Sequence, residues 1–304
     1  MIVKIINKIF RKYSPSINFS IGLSHILNIR DKYKKIRNIN DLDYKVFSQN
    51  GEDGIIDYFL YSLKIDKPKF IEIGVGDYRE CNTRFLFERT SPKGLVIDCI
   101  KDLKVKISKN IKLWRGDITI LEKFISPENI NLILKQNGFN KDIDLFSLDV
   151  DGIDYWILKK LPKNFTKIAI IEFNSNFGSK KEITVPKIKN FDRTKYHYSN
   201  LCYGASLKAI INLMKKKNFT FLGTNIHRVN AFFVSKKYIK KIKLNIPKNK
   251  DLNKFVSSNI RESRSKKKEL TYLSGKKKIE IIGNCKVIDV SSKKEKNLFL
   301  KDLF

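Results

Sequence analysis

The sequence predicts an α/β protein whose mostly parallel, doubly wound sheet ends in an antiparallel hairpin. Three observations lead there. Short apolar runs recur along the chain, too compact for helices and suited to strands covered on both faces. Helix-length segments separate most of them, and crossovers of that length are what parallel strands require. Near residue 224 the spacing collapses, because "FTFLG" and "NAFFVS" are joined only by "TNIHRV", a link that connects antiparallel strands alone.

Taken in order, the elements begin with "MIVKIINKIFRKY", which sets Ile2, Ile5, Ile6, Ile9 and Tyr13 on one helical face and Lys4, Lys8, Arg11 and Lys12 elsewhere. A basic amphipathic helix of this kind either lies on an anionic leaflet or packs on the domain. Residues 1–45 read as a basic helical extension with a break at Ser14 to Ser16 around Pro15. "FSQNGEDGIIDYFL" then opens a helix, with Ser48 as its cap and Glu52 and Asp53 in its first turn. Strands follow at "KFIEIGVG", at "KGLVIDCI" and, more weakly, at "IKLWRGDI", which is read as ending at Asp117. A helix around Ile130 to Leu134 precedes the strand "IDLFSLDVDG". Ile153, Ile157, Leu158 and Leu161 then recur at helical spacing until Pro162 stops them. The strand "KIAIIEFN", a polar loop from Ser175 to Leu201 and the helix "GASLKAIINLMKKK" lead to the hairpin. Residues 46–236 form the expected folded unit, able to hold its ligand without either end. Residues 237–304, with lysine runs such as "SKKKE" and "SGKKKIE", read as a partly ordered appendage.

Composition narrows the function. With 304 residues and 42% hydrophobic content the chain can bury a substantial core. Its formal charge of +31 would ordinarily point to a polyanionic partner. Lysine greatly outnumbers arginine, however, and Ile, Asn, Phe and Tyr are abundant, residues whose codons are rich in A and T. Much of the charge therefore records base composition. No stretch combines arginine forks with interleaved aromatics, so no specific nucleic-acid partner is expected. Cys81, Cys99, Cys202 and Cys285 form no CxxC pair and have no histidine at metal-ligand spacing, which fits a reduced, cytoplasmic setting. There is no run of eighteen apolar residues and no small-residue cleavage site near the start, which reads as neither a spanning helix nor a leader. The basic N-terminal helix is the one feature suited to peripheral contact with the inner membrane face.

The chemistry centres on acids at strand ends. "LFSLDVDGIDYWIL" places Asp149, Asp151 and Asp154 around a glycine, but a calcium loop counted from Asp149 would need glycine at Asp154 and glutamate at Lys160. The acids sit instead at a strand-to-helix corner, Asp154 capping the helix and Asp149 and Asp151 facing the crevice where doubly wound sheets bind ligands. The next strand delivers Glu172 and Asn174 beside them. An oxygen-only set of this type can hold Mg²⁺ and lower the pKa of a hydroxyl; the primary reading leaves the carboxylates free to act on the ligand directly. Gly74 and Gly76 after a buried strand allow close backbone approach, and Arg79 takes the place of the third glycine that a nicotinamide fingerprint requires. His197, flanked by Tyr196, Tyr198 and Tyr203, is the candidate histidine base, and Tyr203 is read with Glu172 and Asn174 as lining the acceptor.

In "IEIGVG" the acid Glu72, two residues before the first glycine, is similar to the start of the S-adenosylmethionine loop. Asp98 ends the following strand, where a carboxylate can accept both hydroxyls of a ribose, and Asp117 is read as meeting the adenine. Gln49 and Glu52 are placed at the methionine end. A parallel sheet closed by an antiparallel hairpin is the Rossmann-like architecture of class I methyltransferases. "FSQNGEDGII", "FIEIGVGDYRECNT", "SPENINLIL", "LFSLDVDGIDYWI", "IIEFNSNFG", "YGASLKAI" and "VNAFFV" together resemble a bacterial branch of the FkbM-like methyltransferases over residues 46–234. That resemblance implies S-adenosylmethionine as methyl donor and O-methylation of a hydroxyl on a glycan, glycolipid precursor or secondary metabolite. The chain departs from the branch at Tyr78, where another glycine is usual, and at Asp98, where glutamate is common. A non-catalytic module at an anionic surface, its function carried by the basic ends, is the alternative, since a fold alone does not establish chemistry.

Overall fold

The computed structural model describes residues 2–303 apart from 257 and 293, with the side chains of residues 2–13 outside the described residues. The amphipathic face expected from Ile2 to Tyr13 therefore lies outside them as well. The chain runs α1 (Ile2–Ile29), α2 (Glu52–Leu63), β1 (Lys69–Ile73), α3 (Arg84–Thr90), β2 (Lys93–Asp98), α4 (Leu103–Ser108), β3 (Asp117–Glu122) and α5 (Ile130–Gln136). It continues with β4 (Leu145–Leu148), α6 (Asp154–Lys160), β5 (Ile168–Glu172), β6 (Ile183–Thr184), α7 (Arg193–Tyr196) and α8 (Leu207–Lys216). Last come β7 (Phe219–Thr224), β8 (Asn230–Ser235), α9 (Lys276–Ile281), β9 (Lys286–Asp289) and β10 (Lys296–Phe299).

Seven strands form one sheet in the order β3-β2-β1-β4-β5-β8-β7. β1 to β5 are mutually parallel, and β8 runs antiparallel to both β5 and β7. This is the Rossmann-like order of the class I methyltransferase fold. Alternate residues of each strand feed opposite cores, as a side-chain period of two demands. Ile71, Ile73, Phe146, Leu148, Ala169 and Ile171 pack with α5, α6 and α8 on one face. Phe70, Val96, Leu145, Ile168 and Ile170 pack with α2, α3 and α4 on the other.

Three expectations are corrected. The third strand begins at Asp117 instead of ending there, because Leu113 to Arg115 form a 3₁₀ turn with Trp114 79% exposed, and the β-favouring run follows Gly116. α1 runs unbroken through Pro15; proline removes one N–H donor and crowds the carbonyl four residues back, which a helix continuing on both sides can absorb. Finally, the lysine-rich end supplies β9 and β10, which join β6 in a second sheet of order β10-β9-β6. Ile282, Cys285, Val287 and Leu300 from this end bury against Phe177, Ile183, Val185, Leu201 and Cys202. Lysine content hid it because only a few residues of each short strand point inward. No helix among the described residues is long and apolar enough to cross a membrane.

Candidate active site

A cavity of about 600 Å³ opens at the carboxyl ends of β1, β2, β3 and β4, the position that this topology assigns to ligands. Its floor is the turn after β1. Gly74 has φ +88°, and a Cβ there would come within 1.5 Å of the Asp149 carbonyl oxygen, so the turns after β1 and β4 interlock only if this residue is glycine. Gly76, at φ +54°, has no heavy atom near its missing Cβ and presents bare backbone to the cavity.

Asp98, the last residue of β2, stands on the wall. Its Oδ2 accepts from the Gly76 N–H at 2.8 Å and its Oδ1 from the Ile100 N–H at 3.1 Å. Each oxygen thus holds the backbone with one lone pair and keeps another for a ligand. Ile100, Phe124 and Ile125 make an adjacent apolar wall, and Gln49 reaches the opposite rim. Asp117 is absent from this place: at the start of β3 it lies at the far end of the sheet, paired with Lys93 at 3.5 Å. Residues beyond Glu122, namely Lys123, Phe124 and Ile125, line the cavity in its stead.

Two predicted ligand contacts turn out to brace the site from behind. Glu72 accepts from the Asn82 N–H at 2.9 Å, the Thr83 N–H at 2.9 Å and the Thr83 hydroxyl at 2.5 Å, and so ties the glycine turn to the start of α3. Burial pushes its pKa up to about 7 against those donors. Glu52 is fully buried; its Oε2 accepts from the Asn50 N–H at 2.8 Å, and its Oε1 from the side-chain amides of Asn225 at 2.7 Å and Asn230 at 2.8 Å. It clamps α2 to the β7–β8 hairpin and lies outside the residues that line the cavity.

Across the cavity, β4 is followed by Asp149, Val150 and Asp151. The corner is held by Asp154, whose carboxylate accepts from the Val150 N–H at 2.9 Å and the Gly152 N–H at 3.0 Å from the first helical position. Glu172 arrives from the neighbouring end of β5, and one carboxylate oxygen each of Asp149, Asp151 and Glu172 lie within 4.8 Å of one another. Burial, then the Asp151 charge, pushes Asp149 well above the usual carboxylate range. Burial, then Asp149, does the same to Glu172, whose Oε2 is buried without a hydrogen-bond partner. Asp151 is also raised by burial, with Arg193 opposing. Arg193 reaches Asp151 at 2.5 Å and lies over the Tyr203 ring at 5.2 Å. Nothing local in the sequence marks Arg193, because its connection to Asp151 spans 42 positions and no motif encodes it.

Asn174 does not face the cavity's contents. Its Nδ2 donates to the Leu201 carbonyl at 2.8 Å and the Tyr203 carbonyl at 2.9 Å, and its Oδ1 accepts from the Asn176 N–H. It positions Tyr203. His197 also does not line the cavity: its Nδ1 lies 2.7 Å from the Ser199 hydroxyl, and burial lowers its pKa. Five acids, Asp77, Glu80, Asp98, Asp149 and Asp151, line the cavity against two cations, Arg79 and Lys123. An acidic cleft on a chain of charge +31 is a local reversal of sign.

Among solved structures the chain is similar to an arsenic(III) S-adenosylmethionine methyltransferase from Chlamydomonas reinhardtii, with 12% identity over 56% of this chain and 62% of that one and a TM-score of 0.34. It is also similar to the pyocyanin biosynthetic protein PhzM, at 9% identity over 60% and 57% with a TM-score of 0.30. TehB from Haemophilus influenzae aligns at 10% identity over 61% and 67% with a TM-score of 0.34. The chain thus spans less than two thirds of the length of the first two. No family model and no curated protein matches the sequence.

Proposed function

We propose that the chain is an S-adenosylmethionine-dependent methyltransferase of the FkbM-like kind, acting on a hydroxyl of a glycan, glycolipid precursor or secondary metabolite. The observation that carries this reading is the acidic cleft of a basic protein, with Asp98 fastened to the glycine turn on one side and paired carboxylates on the other. S-adenosylmethionine suits it chemically. Its ribose diol matches the free lone pairs of Asp98, its adenine matches the Ile100, Phe124 and Ile125 wall, and its sulfonium is a cation that acids stabilise. When bound, it supplies the methyl group: the acceptor oxygen forms the new C–O bond while the S–C electron pair returns to sulfur.

The chain's own residues then have separable tasks. Gly74 and Gly76 admit the ligand's backbone-facing edge, Glu72 and Glu52 hold the turn and α2 in place, and Asp149 and Asp151 orient the acceptor hydroxyl and take its proton as charge develops. A carboxylate raised by burial, such as Asp149, is a stronger base than an exposed one. Buried like charges cost stability, so a scaffold with no chemistry to perform has no use for them. This weighs against the non-catalytic alternative.

Two outcomes follow. Calorimetric titration should show wild-type binding of S-adenosylmethionine, and Asp98→Ala should weaken it by about 10- to 100-fold, the loss of charge-assisted bonds worth roughly 1.5 to 3 kcal/mol. Absence of any binding heat at millimolar ligand would remove the methyltransferase reading. Asp149→Asn keeps shape but deletes the base, so cofactor affinity should stay within a few fold while turnover drops by about a hundredfold or more. Wild-type turnover in that variant would take Asp149 out of the mechanism.

A further inference from the structure

We propose that Asp149, Asp151 and Glu172 form a divalent-cation site, for Mg²⁺ or Mn²⁺, at the acceptor side of the cleft. The proposal rests on the methyl-transfer reading of that cleft and adds a cation to it. Two observations bear on it. The first is the convergence of three carboxylates, from the ends of two adjacent parallel strands, to within 4.8 Å. The second is Glu172 Oε2, an acceptor on a side chain only 7% exposed, which has no hydrogen-bond partner although its carboxylate belongs to this cluster. A buried carboxylate oxygen left without a donor is costly. Among the described residues no N–H group reaches this oxygen, and the side-chain neighbour of its carboxyl is Asp149 of the same cluster.

Charge balance sharpens the inference. The three carboxylates face one guanidinium, Arg193, which touches Asp151 at 2.5 Å through Oδ1. Burial and mutual repulsion hold Asp149 and Glu172 above the usual carboxylate range; ionising all three beside one guanidinium would leave two negative charges, which a divalent cation neutralises. Ligand oxygens around an octahedral ion at about 2.1 Å lie roughly 3.0 to 4.2 Å apart, so a small side-chain adjustment from the present spacing makes a coordination set. Arg193 lies beside the site at Asp151 and over the Tyr203 ring at 5.2 Å, and Asn174 holds the Tyr203 carbonyl. Mg²⁺ retains several exchangeable positions when three carboxylates bind it, and one of these is open to the acceptor hydroxyl, whose proton is more easily lost beside the ion. Hard oxygen ligands without nitrogen or sulfur disfavour zinc and copper.

The test uses the full chain without S-adenosylmethionine, so that its failure leaves the cofactor reading untouched. Mn²⁺ is titrated with protein and the sextet of the free ion is followed by electron paramagnetic resonance. The expected result is loss of the signal at one ion per chain, with Mg²⁺ displacing Mn²⁺ competitively. Glu172→Gln should weaken Mn²⁺ binding at least tenfold. Asp151→Asn, at a side chain that belongs to neither hydrophobic core of the main sheet, should do the same if the glutamine variant fails to fold. Asp117→Asn, an acid at the opposite end of the sheet, should leave binding unchanged. An undiminished free-ion signal at millimolar protein overturns the proposal, as does wild-type affinity in a folded Glu172→Gln or Asp151→Asn chain.

Discussion

Gly74→Ala is expected to destabilise the protein by about 4 kcal/mol or more, in the range reserved for disrupted cores and strained backbones. In a chain of this size the melting temperature should then fall by about 6 °C. Two causes combine: a β-carbon in the left-handed region, and its position 1.5 Å from the carbonyl oxygen of Asp149. The turn after β1 and the turn after β4 cannot both keep their places. Gly76→Ala is the internal control, since its φ of +54° carries a similar backbone penalty and nothing lies within 4 Å of the new carbon. That variant should lose only about 1 kcal/mol. Differential scanning calorimetry on the two separates steric interlock from backbone conformation, and equal melting temperatures would show that the close approach is not what requires glycine.

Removing residues 237–304 should be more damaging still. The sequence suggests a self-sufficient unit ending near residue 236, but the structure places Ile282, Val287 and Leu300 in a core shared with Ile183 and Val185, and Ile242 and Leu244 against the α2 face. Burial of these side chains contributes on the order of 10 kcal/mol gross, comparable to the whole net stability of a domain. The shortened chain is expected to lack a cooperative thermal transition by circular dichroism and to expose apolar surface that binds a hydrophobic dye. A sharp melt within a few degrees of the full chain would show that the small sheet adds nothing to folding.

The parts legible in the sequence share one property, locality. Strands β1, β2, β4 and β5 announce themselves as apolar runs, and the acids at Asp98, Asp149, Asp151 and Glu172 sit within three positions of their ends. Roles fixed by distant partners were not legible. Glu52 looked free to meet a ligand because its clamps, Asn225 and Asn230, lie 173 and 178 positions on. Asn174 looked like a binding amide because nothing local says that it will bond the carbonyls of Leu201 and Tyr203. Asp117 was misplaced for a different reason. "IKLW" has strand-like composition, and only exposure of Trp114 on a 3₁₀ turn reveals that the ladder starts after Gly116.

The cavity and the segment that caps Asp151 come from different stretches of the chain. Apart from Phe191, every residue lining the cavity lies between 49 and 153. Arg193 and Tyr203 instead stand on a segment whose β6 edge is paired by β9, and Arg193 also approaches Glu262 at 3.9 Å. If the proposed function holds, changes beyond residue 183 can therefore remodel the surroundings of the acceptor while Asp98, the glycine turn and the carboxylates at the end of β4 stay as they are. Divergence in such a chain should accumulate unevenly, with acceptor choice drifting in the later residues and the earlier pocket inherited as a block.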